Sequence, residues 1–368
     1  MRTFLDRYKR GEHEQVWSEL DALGEAALQE PLVEDTLAVV HETMRRARHN
    51  IEALIPLLVT LGYQFGYGWI QPGAEESYAY DSLKQYMRRM DWAREQPPVF
   101  LPADEREWYL AEINARLNRL HELGAPVTII QDIQRRHDAF EARPTMRDRI
   151  SFIERYIGRL PPTISAWFEI VGSVNFVGHH PRWVEVLPAP EPWPEGPFDS
   201  ENEDMPHPMY RLDPLVIAPL ERSVKLRDMV GFPYGGMPPG EPVPLPSWSG
   251  FNPLDPLRVD MRHLDWAEQR RASGEATDFV LCLAQNPFSK YDGEEKPWLD
   301  DCFMVSLPQN GVDARMSGFE GRDSVWDGIT FVDYLRECFR WGGFPGWARL
   351  ESRPVEDLAF LTRDLLPL

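Results

Sequence analysis

The sequence predicts an α+β protein, with an all-helical N-terminal domain followed by a mixed sheet with flanking helices. Three observations carry this. Up to about residue 143 the apolar side chains recur at helical spacing. Met146 to Phe176, MRDRISFIERYIGRLPPTISAWFEIVGSVNF, reads as a helix, a Leu-Pro-Pro break, a second helix and an entry into a sheet. FVLCLA (Phe279 to Ala284) and CFMVSL (Cys302 to Leu307) have the composition of buried strands. The expected division is 1–143, 144–350 and a C-terminal tail, 351–368. The second part carries a long acidic, proline-rich insertion near 188–219.

In the first part, Val16, Leu20 and Leu23 share one helical face, and Gly24 offers a cap. A longer helix is expected from about Asp35 to Leu61, with Val39, Thr43, Ala47, Ile51 and Ile55 near one stripe. Pro56 is expected to kink or split it, and Gly62 to stop it. YQFGYGWIQPG, Tyr63 to Gly73, mixes glycines and aromatics, and reads as a ligand loop or as a turn whose aromatics plug a helical core. A helix over Glu75 to Trp92 follows, then one over Glu105 to Gly124 anchored by Trp108, Ile113, Leu117 and Leu120. The run VTII after Ala125 is expected to be extended, leading into a polar helix with Arg135, Arg136 and His137. Glu141 to Thr145 is polar, contains a proline and is the linker candidate.

In the second part, Ile150, Ile153, Tyr156 and Ile157 line the opening helix and Gly158 ends it. Pro161 and Pro162 stop that helix and open the next, whose stripe is Ile164, Trp167, Phe168 and Val171. Gly172 to Asn175 is expected to turn into the sheet. Strands are expected at Val184 to Leu187 and Leu215 to Pro219, with an edge strand at Arg258 to Asp260 and a short polar helix over His263 to Arg271. Gly231 to Trp248 alternates prolines and is expected to be a surface loop. Phe331 to Trp341 is a helix with Phe331, Tyr334, Leu335 and Phe339 inward. GGFPGW, Gly342 to Trp347, ends it, and a short helix follows Pro354.

With 368 residues, 43% of them apolar, the chain has ample material for a core. Its charge is 39 − 59 = −20, which repels phosphate backbones, so nucleic acid is not the expected partner. Arg45, Arg46, Arg48 and His49 form the best basic cluster and read as a solvated helix face. Cys282, Cys302 and Cys338 are widely spaced, with no zinc pattern, and are expected to be reduced thiols of a cytoplasmic protein. The first residues lack the apolar stretch of a signal peptide, and no run of about 18 apolar residues could span a membrane. The 13 tryptophans imply large aromatic packing units or exposed aromatic patches.

No HExxH, P-loop, GxGxxG or GxSxG pattern is present, so no catalytic residue, metal ligand or cofactor is assigned. His179 and His180, with Asp204 and His207, form a loose metal-site pattern that reads more simply as a solvated turn. Asp292, Glu294, Glu295, Asp300 and Asp301 lack the regular spacing of a calcium loop.

The second part resembles the SUKH superfamily, which includes fungal cell-wall-assembly regulators and bacterial toxin-immunity proteins. The resemblance rests on the helix ending in Gly158 with Leu160-Pro161 and the following Ile164, Trp167 and Phe168. It rests also on the Gly172 to Asn175 turn, GSVN where the family commonly has Asn-Gly, and on SVWDGITFVDYLRECF, with Trp326 and Phe331 at the family's two aromatic positions. The resemblance implies a sheet with flanking helices and a binding role without catalysis.

The function expected is non-catalytic protein recognition, toxin-immunity or regulatory, of a basic protein partner through an acidic surface. From Glu185 to Asp213 there are eight acids against one arginine. Candidate contacts are Trp193, Glu201, Glu203, Asp204 and Tyr210, aromatics to anchor and acids to steer. One alternative is a hydrolase or small-ligand enzyme with an interdomain site combining Tyr63, Tyr67 and Trp69 with Asp300 and Asp301. Another is a structural or homo-oligomer-building protein.

Overall fold

The computed structural model describes residues 3–65, 100–102, 105–141, 145–180, 182–183, 213–217, 220–226, 272, 279–284, 303–316, 328–349 and 355–368. It combines helices with small antiparallel sheets, the mixed α+β class that the sequence predicts. No described helix is long and apolar enough to cross a membrane.

The chain opens with α1 (Phe4–Lys9), capped by the Thr3 side chain, which accepts from the Asp6 amide. α2 (His13–Leu23) and a short 3-10 turn (Gly24–Leu28) lead to α3, Val33–Leu61, the longest helix described at 29 residues. The start of α1 is tied to α3, because both Asp35 carboxylate oxygens accept from the amides of Phe4 and Leu5. Pro56 does not split α3. It lies on the exposed face, where water can take the carbonyl that its missing N–H leaves free. Gly62, in the left-handed region, closes the helix.

β1 (Gln64–Phe65) and β2 (Phe100–Pro102) precede α4 (Glu105–Glu122) and α5 (Val127–Glu141). The VTII run is helical from its first residue, against expectation. Val127 is exposed, while Ile129, Ile130 and Ile133 pack on Ile113, Leu117, Leu120 and Ala125 in a small separate core. That pairing outweighs the strand preference of β-branched residues.

α6 (Met146–Ile157) starts at a capping box in which Thr145 and Asp148 satisfy each other's backbone amides. α7 (Pro162–Ala166) begins on Pro162 and passes through a π turn, Trp167–Val171. Gly172–Asn175, expected to be a turn, is strand β3, because the reversal is already complete at Gly172, which caps the π turn at φ 100°. β3 lies between β2 and β5 (Val216–Ile217) in an antiparallel sheet, and β1 pairs with β4 (Gly178–His179). α8 (Leu220–Ser223) leads into β6 (Val224–Leu226). β6 pairs with β7 (Phe279–Ala284), which pairs with β8 (Phe303–Ser306). α9 (Phe331–Arg340), a 3-10 turn (Pro345–Arg349) and α10 (Val355–Thr362) complete the order. The expected elements at 75–92, 184–187, 231–248, 258–260 and 263–271 lie outside the described residues.

One hydrophobic cluster draws on both sides of the expected division at 143/144. Tyr8, Val16, Leu20, Val40, Ile51 and Leu54 join Ile153, Trp167, Phe176, Leu281, Phe331, Leu335 and Trp347. The tail returns to α3 as well. Asn50, fully buried, exchanges two hydrogen bonds with the Leu366 backbone at 2.7 and 2.8 Å. Arg46 donates to Pro367 O and Arg336 to Leu368 O, both at 3.0 Å.

Gly343 sits at φ 93°, where an added Cβ would lie 2.7 Å from Phe176 Cδ2. Gly343→Ala is expected to destabilise the fold by about 2–5 kcal/mol in urea unfolding, through backbone strain and overpacking together. Gly124, at φ 66° with nothing within 4 Å of its Cβ position, should cost only about 1 kcal/mol as Ala.

Candidate functional site

The five expected contact residues, Trp193, Glu201, Glu203, Asp204 and Tyr210, lie outside the described residues, as do Tyr67, Trp69, His207, Asp292, Glu294, Glu295, Asp300 and Asp301. The base from which the acidic segment departs, and to which it returns, is described.

On the departing side stands Trp183, 1% exposed. Its ring lies 4.5 Å from His180, 4.8 Å from Trp347, 5.3 Å from Phe344 and 5.4 Å from Tyr63, centroid to centroid. A buried indole N–H needs an acceptor, and Asp357 on α10 supplies one at 2.8 Å. The Tyr63 hydroxyl donates to Phe176 O at 2.7 Å. Tyr63 is therefore a core plug, one of the two readings of its segment.

On the returning side, Asp213 is buried and holds a positive φ of 45°. Leu215 N–H then donates to Gly343 O at 2.7 Å, and Phe176 N–H donates to Leu215 O at 2.9 Å. Both ends of 184–212 thus rest on GGFPGW. Trp183 meets its aromatic rings edge to face and Leu215 bonds to its backbone. The motif that the sequence marks only as a helix stop is the floor of the candidate site.

His180 is 2% exposed, with Nε2 2.7 Å from Leu61 O. Against a carbonyl that nitrogen must donate, so Nε2 is not available to a metal. Among the described residues no group of three or more His, Cys, Asp or Glu side chains could hold a metal ion. The basic cluster on α3 is internally paired, Arg45 and Arg46 with Glu42 and Arg48 with Glu52, at 2.6–3.2 Å. Such helix-neighbour pairs stabilise locally.

Asp313 has no counterpart in the sequence reading. The residue keeps some exposure, but its carboxylate is enclosed, with Oδ1 lacking a partner among the described residues and Oδ2 accepting from Val332 N–H at 3.1 Å in the first turn of α9. Thr163 of α7 reaches the same place, accepting from Ala314 N–H at 3.1 Å. Burial pushes the Asp313 carboxyl up to about 6, with the charge of Asp333 adding to the rise and bonds from Thr330, Val332 and Thr163 opposing it. The one signal in the sequence is an acid between Val312 and Ala314, both of which are buried.

A carboxyl raised in the folded state binds more protons folded than unfolded between about pH 4 and 6. Its contribution to stability is present at the acid end and is lost as pH rises through about 6. Asp313→Asn keeps an acceptor for Val332 N–H and cannot ionise. The variant should match the original protein near pH 4 and exceed it by up to about 3 kcal/mol above about pH 6.5, measured by urea unfolding across pH. A stability difference independent of pH would contradict the assignment.

No family model, curated protein or solved structure matches the chain.

Proposed function

We propose that this protein is a non-catalytic recognition protein whose acidic segment binds a basic surface on a partner protein. One observation carries the reading. The segment leaves from Trp183 and returns at Leu215 on the same aromatic floor. Fixing both ends to one packed block lowers the ordering cost that a contact surface meets on binding. Seven acids from Glu185 to Asp204, the buried Asp213 aside, steer a cationic partner inward. Glu201, Glu203 and Asp204 are the densest part of that charge, and Trp193 and Tyr210 are the anchors. The proposal includes the finer fold, a SUKH-like sheet with flanking helices, and a toxin-immunity or regulatory role. It sets the protein in the cytoplasm, where Cys282 and Cys338, both free thiols, stay reduced.

The test begins with capture of the partner by the full chain from its native cell and purification of that partner. Isothermal titration should then give an affinity that weakens with added salt. Trp193→Ala and Tyr210→Ala should each weaken it by at least about tenfold with an unchanged melting curve. Equal affinity in both variants would reject these contacts, and salt-independent binding would reject the electrostatic reading.

A further inference from the structure

α6 carries exposed arginines beside an exposed aromatic ring. Four of its exposed positions, Arg147, Ser151, Phe152 and Arg155, recur at three- and four-residue spacing, and Arg159 is exposed just past its end. Phe152 is 40% exposed, and its ring meets that of Tyr156, one turn on, at 5.3 Å. The two acids inside this stretch are engaged, Asp148 in the capping box and Glu154 with the amide of Leu160. Arg147 pairs with Glu169 at 3.2 Å. Arg155 and Arg159 have no ion-pair partner among the described residues. Arg155 and Arg159 thus set two cations beside Phe152 on a chain of charge −20.

Two guanidinium groups with no ion-pair partner among the described residues, beside the exposed Phe152 and the half-buried Tyr156, suit a segment bearing carboxylates and flat apolar rings. Carboxylates pair with the fork of arginine, and proline and aromatic rings pack on Phe and Tyr. The chain carries such a segment itself, PAPEPWPEGPFDSENEDMPHPMY, residues 188 to 210. We propose that this acidic segment of a second copy docks on the α6 face, joining copies head to tail. The inference rests on the reading of 185–213 as a contact surface and adds a second site, with a different partner. Repulsion between two −20 chains does not prevent it in physiological salt. Screening over ~8 Å removes the long-range part and leaves contact pairs largely intact. Such a contact is heterologous, with each copy offering one face of each kind.

Sedimentation of the full chain reads this directly. At physiological salt the mass is expected to exceed 42.7 kDa as concentration approaches about 100 µM. Arg155→Glu/Arg159→Glu should remain a single copy at the same concentration, with an unchanged melting curve. So should Glu201→Gln/Glu203→Gln/Asp204→Asn. Mixing the two variants should restore a two-copy species, because one keeps an intact acidic segment and the other an intact α6 face. A single-copy mass for the original protein throughout, or association undiminished in either variant, overturns the proposal. A mixture that stays single-copy also overturns it, since one acidic segment and one α6 face on separate copies then do not suffice for association. Titration of Arg155→Glu/Arg159→Glu with the basic partner separates the two readings. Unchanged affinity there leaves the function proposed above standing when the copy–copy contact fails.

Discussion

Gly343 is the point that the described structure cannot rearrange without losing several segments together. Its N–H donates to Cys338 O at 2.8 Å, closing α9, and its carbonyl takes the Leu215 amide at 2.7 Å, fixing the return of the acidic segment. The space where a Cβ would stand is filled by the Phe176 ring at 2.7 Å, with Leu54 of α3 at 3.8 Å. A backbone this close to an aromatic ring admits only glycine. Around it Trp183, Phe344, Trp347 and Tyr63 form a continuous aromatic block, with edge and stacked contacts of 4.8–5.4 Å. Close-packed interiors transmit strain, so a shift at Gly343 would reach α3, β3 and α9 together.

Local chemistry made much of the fold legible. Gly158 and Pro162 mark the end of α6 and the start of α7 by a glycine stop and a proline, and the structure places them there. The buried strand at Phe279–Ala284 matches its composition residue for residue. Where the reading failed, tertiary context decided. Val127 to Ile130 have strand-forming side chains, but packing against α4 makes them helical. Pro56 sits in α3 because its lost hydrogen bond faces solvent. The docking of the tail on Asn50 joins residues 316 positions apart, a separation that no periodicity signals. The floor of the candidate site was legible only as a helix stop, because a glycine–aromatic motif does not name the ring that will fill its gap. Asp313 was hidden for a similar reason, since its enclosure depends on Thr163 and Val332 from two other elements.

Charge organises the functional account. The core uses the apolar and aromatic side chains, among them Trp167, Trp183 and Trp347, each no more than 1% exposed. Many of the described arginines pair with carboxylates or with backbone carbonyls, as Arg7 does with Glu12 and Glu19, and Arg315 with Asp21 and Gly328 O. Two concentrations of unbalanced character stand out. One is the acidic run from Glu185 to Asp213, and the other is the Arg155–Arg159 face of α6. A surface with separated patches of opposite sign selects partners by complementarity and fixes their orientation more than it raises affinity. On the proposed function, these two stretches are the protein's two contacts.

Native-state hydrogen exchange tests that single body most directly. If α1–α3 share one cooperative core with β3, α9 and the GGFPGW floor, the amides of Ile51, Phe176, Leu215, Leu335 and Gly343 exchange through one common opening. They then report the same free energy, equal to that of global unfolding. Exchange of the α3 amides at a free energy clearly below that of Leu215 and Gly343 would mean that the N-terminal helices open alone, and would contradict the account.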